Sequence, residues 1–539
     1  MSQQIQIYDT TLRDGAQMEG ISLSVDDKLK ITQLLDELGV DFIEGGWPGA
    51  NPKDEKFFKK VNQLTLKNAK LVAFGSTRRA NSKVQSDSVL NSLLQAKTEY
   101  ITIVGKSWDM HVDVALNVSK EENLLMIQES IEYLKSHNKK VFFDVEHYFD
   151  GLKSNEEYTL KVIKCASEAG AEVIVLCDTN GGSLPDDVKS GVLKAKEAIG
   201  TKSKIGVHVH NDGDLAVANS LVAFEAGASQ IQGTINGIGE RCGNANLISI
   251  IGNLELKYNK KSLPEGNLLK LTKISRQISD ILNLNPNDHQ PFVGFSAFTH
   301  KGGLHASAIK KDSKTYEHIT PETVGNTNRV VVSEQAGVSN IFSLAEKYEI
   351  DLGTDPKETA KELLKKIKEM EHKGYQFEGA EASFALLLLG LLNQRPKLYE
   401  LIDYRVISSS KQLAEATVRL KVKGEVIHTA SLGVGPGNAI DNALRKALNH
   451  YYPALKEFSL VDFKVRILDG HDGSASKTRV LVESSDGNTN WNTVGVSANI
   501  IDATWLAITE SIEYGLWSKS KQKALVENPG KSIHAEARS

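Results

Sequence analysis

His208 and His210, in the run KIGVHVHND at Lys204 to Asp212, are the residues whose type and spacing most directly suggest chemistry. Strand side chains alternate faces, so imidazoles at i and i+2 point the same way and can share one cation. A third hard ligand stands where the first strand-like run, IQIYDTTLRDG, ends in the pair Arg13-Asp14. Two imidazoles, a carboxylate and Asn244 form a mixed N/O set that suits a divalent cation with open positions, and Mg, Mn, Co and Zn all fit it. A guanidinium beside such a cation can help chelate an α-keto acid and stabilise the oxyanion formed when its carbonyl is attacked. Addition to a carbonyl is therefore the favoured chemistry. The loop GIGERCG at Gly237 to Gly243 is spaced G-x-G-x-x-x-G and leaves a strand instead of opening a βαβ unit, which argues against a dinucleotide site.

These residues lie far apart in sequence, so the fold must gather them. Up to about residue 260, β-branched runs alternate with helix-patterned segments. Strands are predicted over Gln4 to Tyr8, Phe42 to Gly45, Leu71 to Phe74, Tyr100 to Val104, Lys140 to Val145, Glu172 to Leu176, Ile205 to His210 and Gln230 to Thr234. Helix patterns such as Ser24 to Leu38, Glu121 to His137, Asn155 to Ala169 and Pro185 to Ala198 lie between them, several opened by a Ser, Asp or Asn cap. Eight such units predict a (β/α)8 TIM barrel over residues 1–265, with chemistry at the C-terminal ends of its strands. Arg13-Asp14, Glu44, Glu146, Asp178-Thr179, His208 with His210, and Asn236 to Asn246 all stand at such ends.

Residues 266–395 read as helical linker subdomains with one Gly/His-rich segment, Gly294 to Ile309. Residues 396–525 read as a pseudo-symmetric α+β domain. It carries two copies of a strand-strand-helix unit that share an Asn-x-Ile-Asp core at Asn438 to Asp441 and Asn499 to Asp502. Such a repeat suits a small ligand at its internal interface. The chain turns polar from about Lys521, and residues 526–539 are predicted to be a disordered tail.

Composition narrows the function classes. The 539 residues are 40% hydrophobic and 24% charged with a net charge of −4, an ordinary globular balance with no electrostatic case for nucleic acid or an anionic membrane. Cys165, Cys177 and Cys242 show no CxxC spacing and are expected to be buried free thiols in a reducing cytosol. The N-terminus lacks a basic segment followed by an apolar run, and the apolar stretch Phe384 to Leu392 is too short to span a bilayer. A soluble, untargeted cytoplasmic protein is expected.

Four segments carry a family resemblance: DTTLRDG at Asp9 to Gly15, HVHND at His208 to Asp212, GIGERCGNANL at Gly237 to Leu247 and GGLHASA at Gly302 to Ala308. They resemble the α-isopropylmalate, homocitrate and citramalate synthases, metal-dependent Claisen enzymes on a TIM barrel, and the resemblance covers nearly the whole chain. EGGWPGANPKD at Glu44 to Asp54, VGKSWDMHV at Val104 to Val112 and NRVVVSEQAG at Asn328 to Gly337 look like the citramalate synthase branch. That branch joins pyruvate and acetyl-CoA at a divalent metal, and its C-terminal domain binds an end-product amino acid, here isoleucine. The enzymes resembled are homodimers in which the helical extension crosses to the partner's barrel.

The resemblance also implies roles. Asp14, His208 and His210 would bind the metal, with Asn244 as a further ligand. Arg13 would hold the keto oxygen, Glu44 would brace Arg13, and Thr179 would bind the keto-acid carboxylate. Glu146 and His305 are both candidates for the base that deprotonates the acetyl methyl, and Tyr316 for assisting thioester hydrolysis. Asp144 departs from the less acidic residues that relatives place two positions before this glutamate. Arg78, Arg79 and Lys106 are candidates for CoA phosphates. Within the fold, the rival activities are 2-isopropylmalate and homocitrate synthesis. A retro-Claisen lyase of the hydroxymethylglutaryl-CoA type would resemble the barrel alone, and an amino-acid sensor built on a decayed enzyme would not keep every metal and base position filled.

Overall fold

The computed structural model describes residues 5–300, 305, 308–309, 311–330, 338–377, 379–468, 476–487 and 489–527. Much of GGLHASA, positions 331–337 of NRVVVSEQAG and positions 528–539 of the tail lie outside the described residues. The chain forms two compact units, one of residues 1–298 with 318–328, the other of residues 299–317 with 329–539.

The first unit is a closed barrel of eight parallel strands in sequence order: β1 (Gln6–Asp9), β2 (Phe42–Glu44), β3 (Lys70–Ser76), β4 (Tyr100–Lys106), β5 (Lys140–Glu146), β6 (Val173–Asp178), β7 (Lys204–Val209) and β8 (Gln230–Gly233). Pairing of β1 with β8 closes it. Alternation along each strand divides two cores. Tyr8, Phe42, Val72, Phe142, Val173, Val175 and Cys177 fill the barrel interior. Their strand neighbours, such as Ile7, Ile43, Phe143, Ile174 and Ile231, pack in the large outer core shared with the helices. The same alternation lifts β5 from Phe142 in the apolar interior through Asp144 to Glu146 at the C-terminal end, so one strand passes from core to chemistry in four residues.

Local signals set the helix starts. Ser24 and Asp27 form a capping box on Val25–Leu38. Ser119 and Asn155 cap Lys120–Ser136 and Glu156–Ala169 through bonds to the backbone nitrogens of Glu122 and Tyr158.

The second unit contains a short parallel pair, β9 (Thr299–His300) and β10 (Arg329–Val330). Three helices follow, Val338–Lys347, Pro356–His372 and Glu381–Leu391, sharing a core that includes Ile341, Leu363, Phe377 and Phe384. Two antiparallel sheets come next. In the first, β11 (Glu400–Ser409), β12 (Gln412–Val422) and β13 (Glu425–Gly433) precede the helix Pro436–Leu448. In the second, β14 (Ser459–Ile467), β15 (Thr478–Ser485) and β16 (Asn490–Ser497) precede the helix Ile500–Glu527. Each copy is therefore three strands and a helix, not two strands and a helix. β11 escapes a period-two reading because its apolar residues Leu401, Ile402 and Ile407 are exposed and its register shifts between Leu401 and Asp403. β14 has the matching shift between Leu460 and Asp462.

Glycines repeat this symmetry. A side chain at Gly433 would lie 2.3 Å from the Ala439 nitrogen, and one at Gly495 would lie 2.0 Å from the Ala503 carbonyl oxygen, so each sheet meets its helix backbone to backbone. The last helix runs on through Glu527, two residues into the segment expected to be a disordered tail, and Lys521 donates to the carbonyl oxygen of Glu349 at 2.9 Å and pairs with its carboxylate at 3.1 Å. Cys242 is exposed on the loop after β8, contrary to the expected burial, while Cys177 lies inside the barrel. Among the described residues, no helix is long and apolar enough to cross a membrane.

At the end of β1, Asp9 accepts from the Thr11 nitrogen at 3.0 Å and the Thr11 hydroxyl at 2.8 Å, which turns the chain toward Arg13-Asp14. Burial pushes the Asp9 carboxyl up to about 7, against the Thr11 hydrogen bonds. The folded state thus holds this proton more tightly than an unfolded chain with its carboxyl at about 3.9, so the stability it contributes is present at low pH and is lost as pH rises through about 7. Asp9→Asn should therefore gain thermal stability relative to the parent between pH 5 and pH 8, on the order of 1–3 kcal/mol. A difference in unfolding midpoint that does not change with pH would contradict this.

Candidate active site

The site is built around Glu44, which is fully buried at the end of β2. Its carboxylate accepts from the Tyr8 hydroxyl at 2.7 Å, the Thr10 hydroxyl at 2.5 Å and Arg13 Nε at 2.6 Å. The guanidinium also donates to Asp14 Oδ2 at 2.8 Å and lies 3.9 Å over the Phe74 ring. Burial works against the Arg13 charge, but Glu44 and Asp14 more than offset it and hold the group firmly protonated. Burial would likewise raise Asp14, yet the positive charge of Arg13 and the neighbouring imidazoles of His208 and His210 keep its carboxyl well below the ordinary range. The Arg-Asp pair is thus a fixed cation beside a fixed anion.

Asp14, His208 and His210 are all buried and each turns a ligand atom into one cluster, these atoms lying within 4.8 Å of one another. The two Nε2 atoms are 3.1 Å apart and lie 3.3 Å and 3.7 Å from Asp14 Oδ2. Asn244, bridged to His210 across the loop, donates to Asp14 Oδ1 at 3.3 Å, and its own Oδ1 is buried with no hydrogen-bond partner. An orphaned amide oxygen beside two imidazole nitrogens and a carboxylate is the donor set of a divalent cation, so these residues fit the expected metal. The glycines of the loop serve this arrangement. At Gly239 (φ +153°) a side chain would lie 2.2 Å from Asn244 Nδ2, and at Gly243 (φ +88°) 2.0 Å from the Gly237 carbonyl oxygen.

Arg241 and Gln232 were not picked out from the sequence. Arg241 binds Asp212 at 2.8 Å and 3.0 Å, the Thr179 carbonyl at 2.8 Å and His210 Nδ1 at 2.7 Å. The available signal was a lone basic residue in the loop after β8, with Asp212 of HVHND as counter-ion. Gln232 backs His208, as described below.

The remaining candidates divide. Thr179 follows β6, and its hydroxyl accepts from the His147 nitrogen at 2.8 Å, which leaves its hydrogen free to donate. Glu146 ends β5 opposite Lys106 on β4 and forms an ion pair with it. Arg78 is buried in ion pairs with Glu122 at 2.7 Å and Glu129 at 2.6 Å, and Lys106 is paired with Glu146. His305 and Tyr316 belong to the second unit, where their exposed rings stack with centroids 4.1 Å apart.

Three family profiles match the chain. The HMGL-like family covers residues 4–278, the homocitrate synthase post-HMGL domain-like family 292–375, and the LeuA allosteric (dimerisation) domain 378–516. An (R)-citramalate synthase of Aquifex aeolicus is 51% identical over 97% of this chain and 100% of its own length. One of Geobacter sulfurreducens is 51% identical over 95% of this chain and 97% of its own. A 2-isopropylmalate synthase of Methanocaldococcus jannaschii is 31% identical over 96% of each. With a catalytic barrel that presents Arg13-Asp14 to an HxH strand, and with relatives matched along nearly their whole length, the chain belongs to the citramalate synthase branch of the isopropylmalate, homocitrate and citramalate synthase family.

Proposed function

We propose that this protein is a citramalate synthase: pyruvate, acetyl-CoA and water give citramalate and CoA. The reading is carried by the Asp14, His208, His210 cluster beside the braced guanidinium of Arg13, and it is supported by 51% identity to (R)-citramalate synthases over nearly the whole chain. Asp14, His208, His210 and the Asn244 carbonyl would hold a divalent cation, which would supply Lewis acidity at the keto oxygen. Arg13, which Glu44 prevents from swinging away, donates to the same oxygen and meets the negative charge that grows on it as the new C–C bond forms. Thr179 donates its free hydroxyl hydrogen to the pyruvate carboxylate. Glu146 or His305 takes a proton from the acetyl methyl, and the resulting carbon nucleophile attacks the keto carbon. His305 and Tyr316, contributed across a two-fold dimer, serve the base system and the hydrolysis that releases CoA. The second unit carries the LeuA allosteric (dimerisation) domain, and isoleucine is its proposed effector.

His210→Ala removes one cluster ligand and should lower kcat by about 100-fold or more with the circular dichroism spectrum unchanged. Full activity of this variant after exhaustive chelation would remove the metal from the reading. Pyruvate should be preferred over 2-ketoisovalerate by more than the roughly 1–3 kcal/mol that a single methylene supplies, because a pocket closed on one methyl excludes the branched chain by contact. A higher kcat/KM for 2-ketoisovalerate would move the protein to the isopropylmalate branch. Isoleucine should inhibit the intact enzyme, with a coupling of about 1–3 kcal/mol between effector and substrate sites. Activity unmoved by isoleucine in steady-state assays would exclude it as the effector.

A further inference from the structure

We infer that Gln232 is a positioning residue that fixes the imidazole tautomer in which His208 can bind a cation. The inference rests on the metal-binding reading of Asp14, His208 and His210 and extends it to a residue that touches none of the reacting atoms. Gln232 lies fully buried on β8, directly opposite His208 on β7. Its side-chain Oε1 is 3.0 Å from His208 Nδ1, while its Nε2 lies 3.4 Å from Asp144 Oδ1 and 3.4 Å from Gln230 Oε1.

The polarity of this set follows from counting hydrogens. As placed, the Gln232 amide nitrogen lies between two oxygens, Asp144 Oδ1 and Gln230 Oε1, and donates one hydrogen to each. Asp144 keeps an acceptor oxygen whichever way its own proton sits. The amide oxygen thus faces His208, and His208 Nδ1 carries the hydrogen. A neutral imidazole has only one, so Nε2 presents a bare lone pair, and Nε2 is the atom that faces Asp14 and His210. A ring without this partner would divide its population between tautomers and rotate more freely, and both effects weaken ligation. His210 has no such acceptor behind it, since its Nδ1 meets Arg241. Asp144 thereby acquires a role: it supplies one of the two oxygens that orient the amide.

The test uses the full-length protein and Co²⁺ alone, titrated against a competing chelator and followed by its visible absorption. Gln232→Met, close in volume but without an amide, should weaken Co²⁺ binding by about 10- to 100-fold. A folded Gln232→Met that binds Co²⁺ as tightly as the parent would overturn the inference. If instead the parent and His208→Ala bind Co²⁺ equally, the metal-binding reading itself fails. A measurement that needs no Gln232 variant stands beside this one. In the metal-free parent labelled with ¹⁵N-histidine, the His208 signals, assigned by their loss in His208→Ala, should report a protonated Nδ1 and a bare Nε2. The opposite tautomer would also overturn the inference.

Discussion

A single buried ion pair governs the candidate site. Removing Glu44 and Arg13 from water costs several kcal/mol per charge, and their attraction offsets that cost only where hydrogen bonds fill the remaining lone pairs and N–H groups. Glu44 meets this condition with Tyr8, Thr10 and Arg13 on its two oxygens, and Arg13 does so by reaching on to Asp14 and lying over Phe74. The pair therefore does more than neutralise itself. Arg13 has one place to be, which gives Asp14 one place to be, and the orientation of the cluster that includes His208 and His210 follows from a carboxylate that touches neither histidine.

The barrel makes such a constraint affordable. Its interior is closed below by aromatic residues, with Phe42 packed edge-on to Phe142 and Tyr100 at 5.1 Å and 5.0 Å between ring centres. Water is excluded from beneath the site, so the charges above interact in a medium of low polarity and must be mutually satisfied. Tyr8 joins the two layers, its ring in the aromatic floor and its hydroxyl on Glu44. Moving up a strand by two residues exchanges dispersion for electrostatics.

Most of the barrel was legible in the sequence because its signals are local. Strands of period two, caps such as Ser24 and Asn155, and polar residues at strand ends each report on a few neighbouring positions. What escaped depends on partners distant in sequence. Gln232 reads as an ordinary polar strand residue until β7 is laid beside β8 and Asp144 of β5 is brought up to it. Arg241 sat inside a motif that was noticed for its glycines, and its role appears only when Thr179, His210 and Asp212 converge on it. Arg78 shows the same limit, since its ion partners Glu122 and Glu129 lie more than forty positions later. β11 was missed because its apolar residues are exposed, so burial imposes no alternation on them.

The paired glycines of the C-terminal repeat bear on how that module can move. With Gly433 against Ala439 and Gly495 against Ala503, neither sheet has a side chain between itself and its helix at the point of closest approach. Packed side chains can exchange rotamers and let layers slide, but touching backbones cannot, so each sheet and its helix form one stiff lever. A signal passing through this module cannot be absorbed by play between strand and helix inside a repeat. It has to appear as a rotation of one whole repeat against the other.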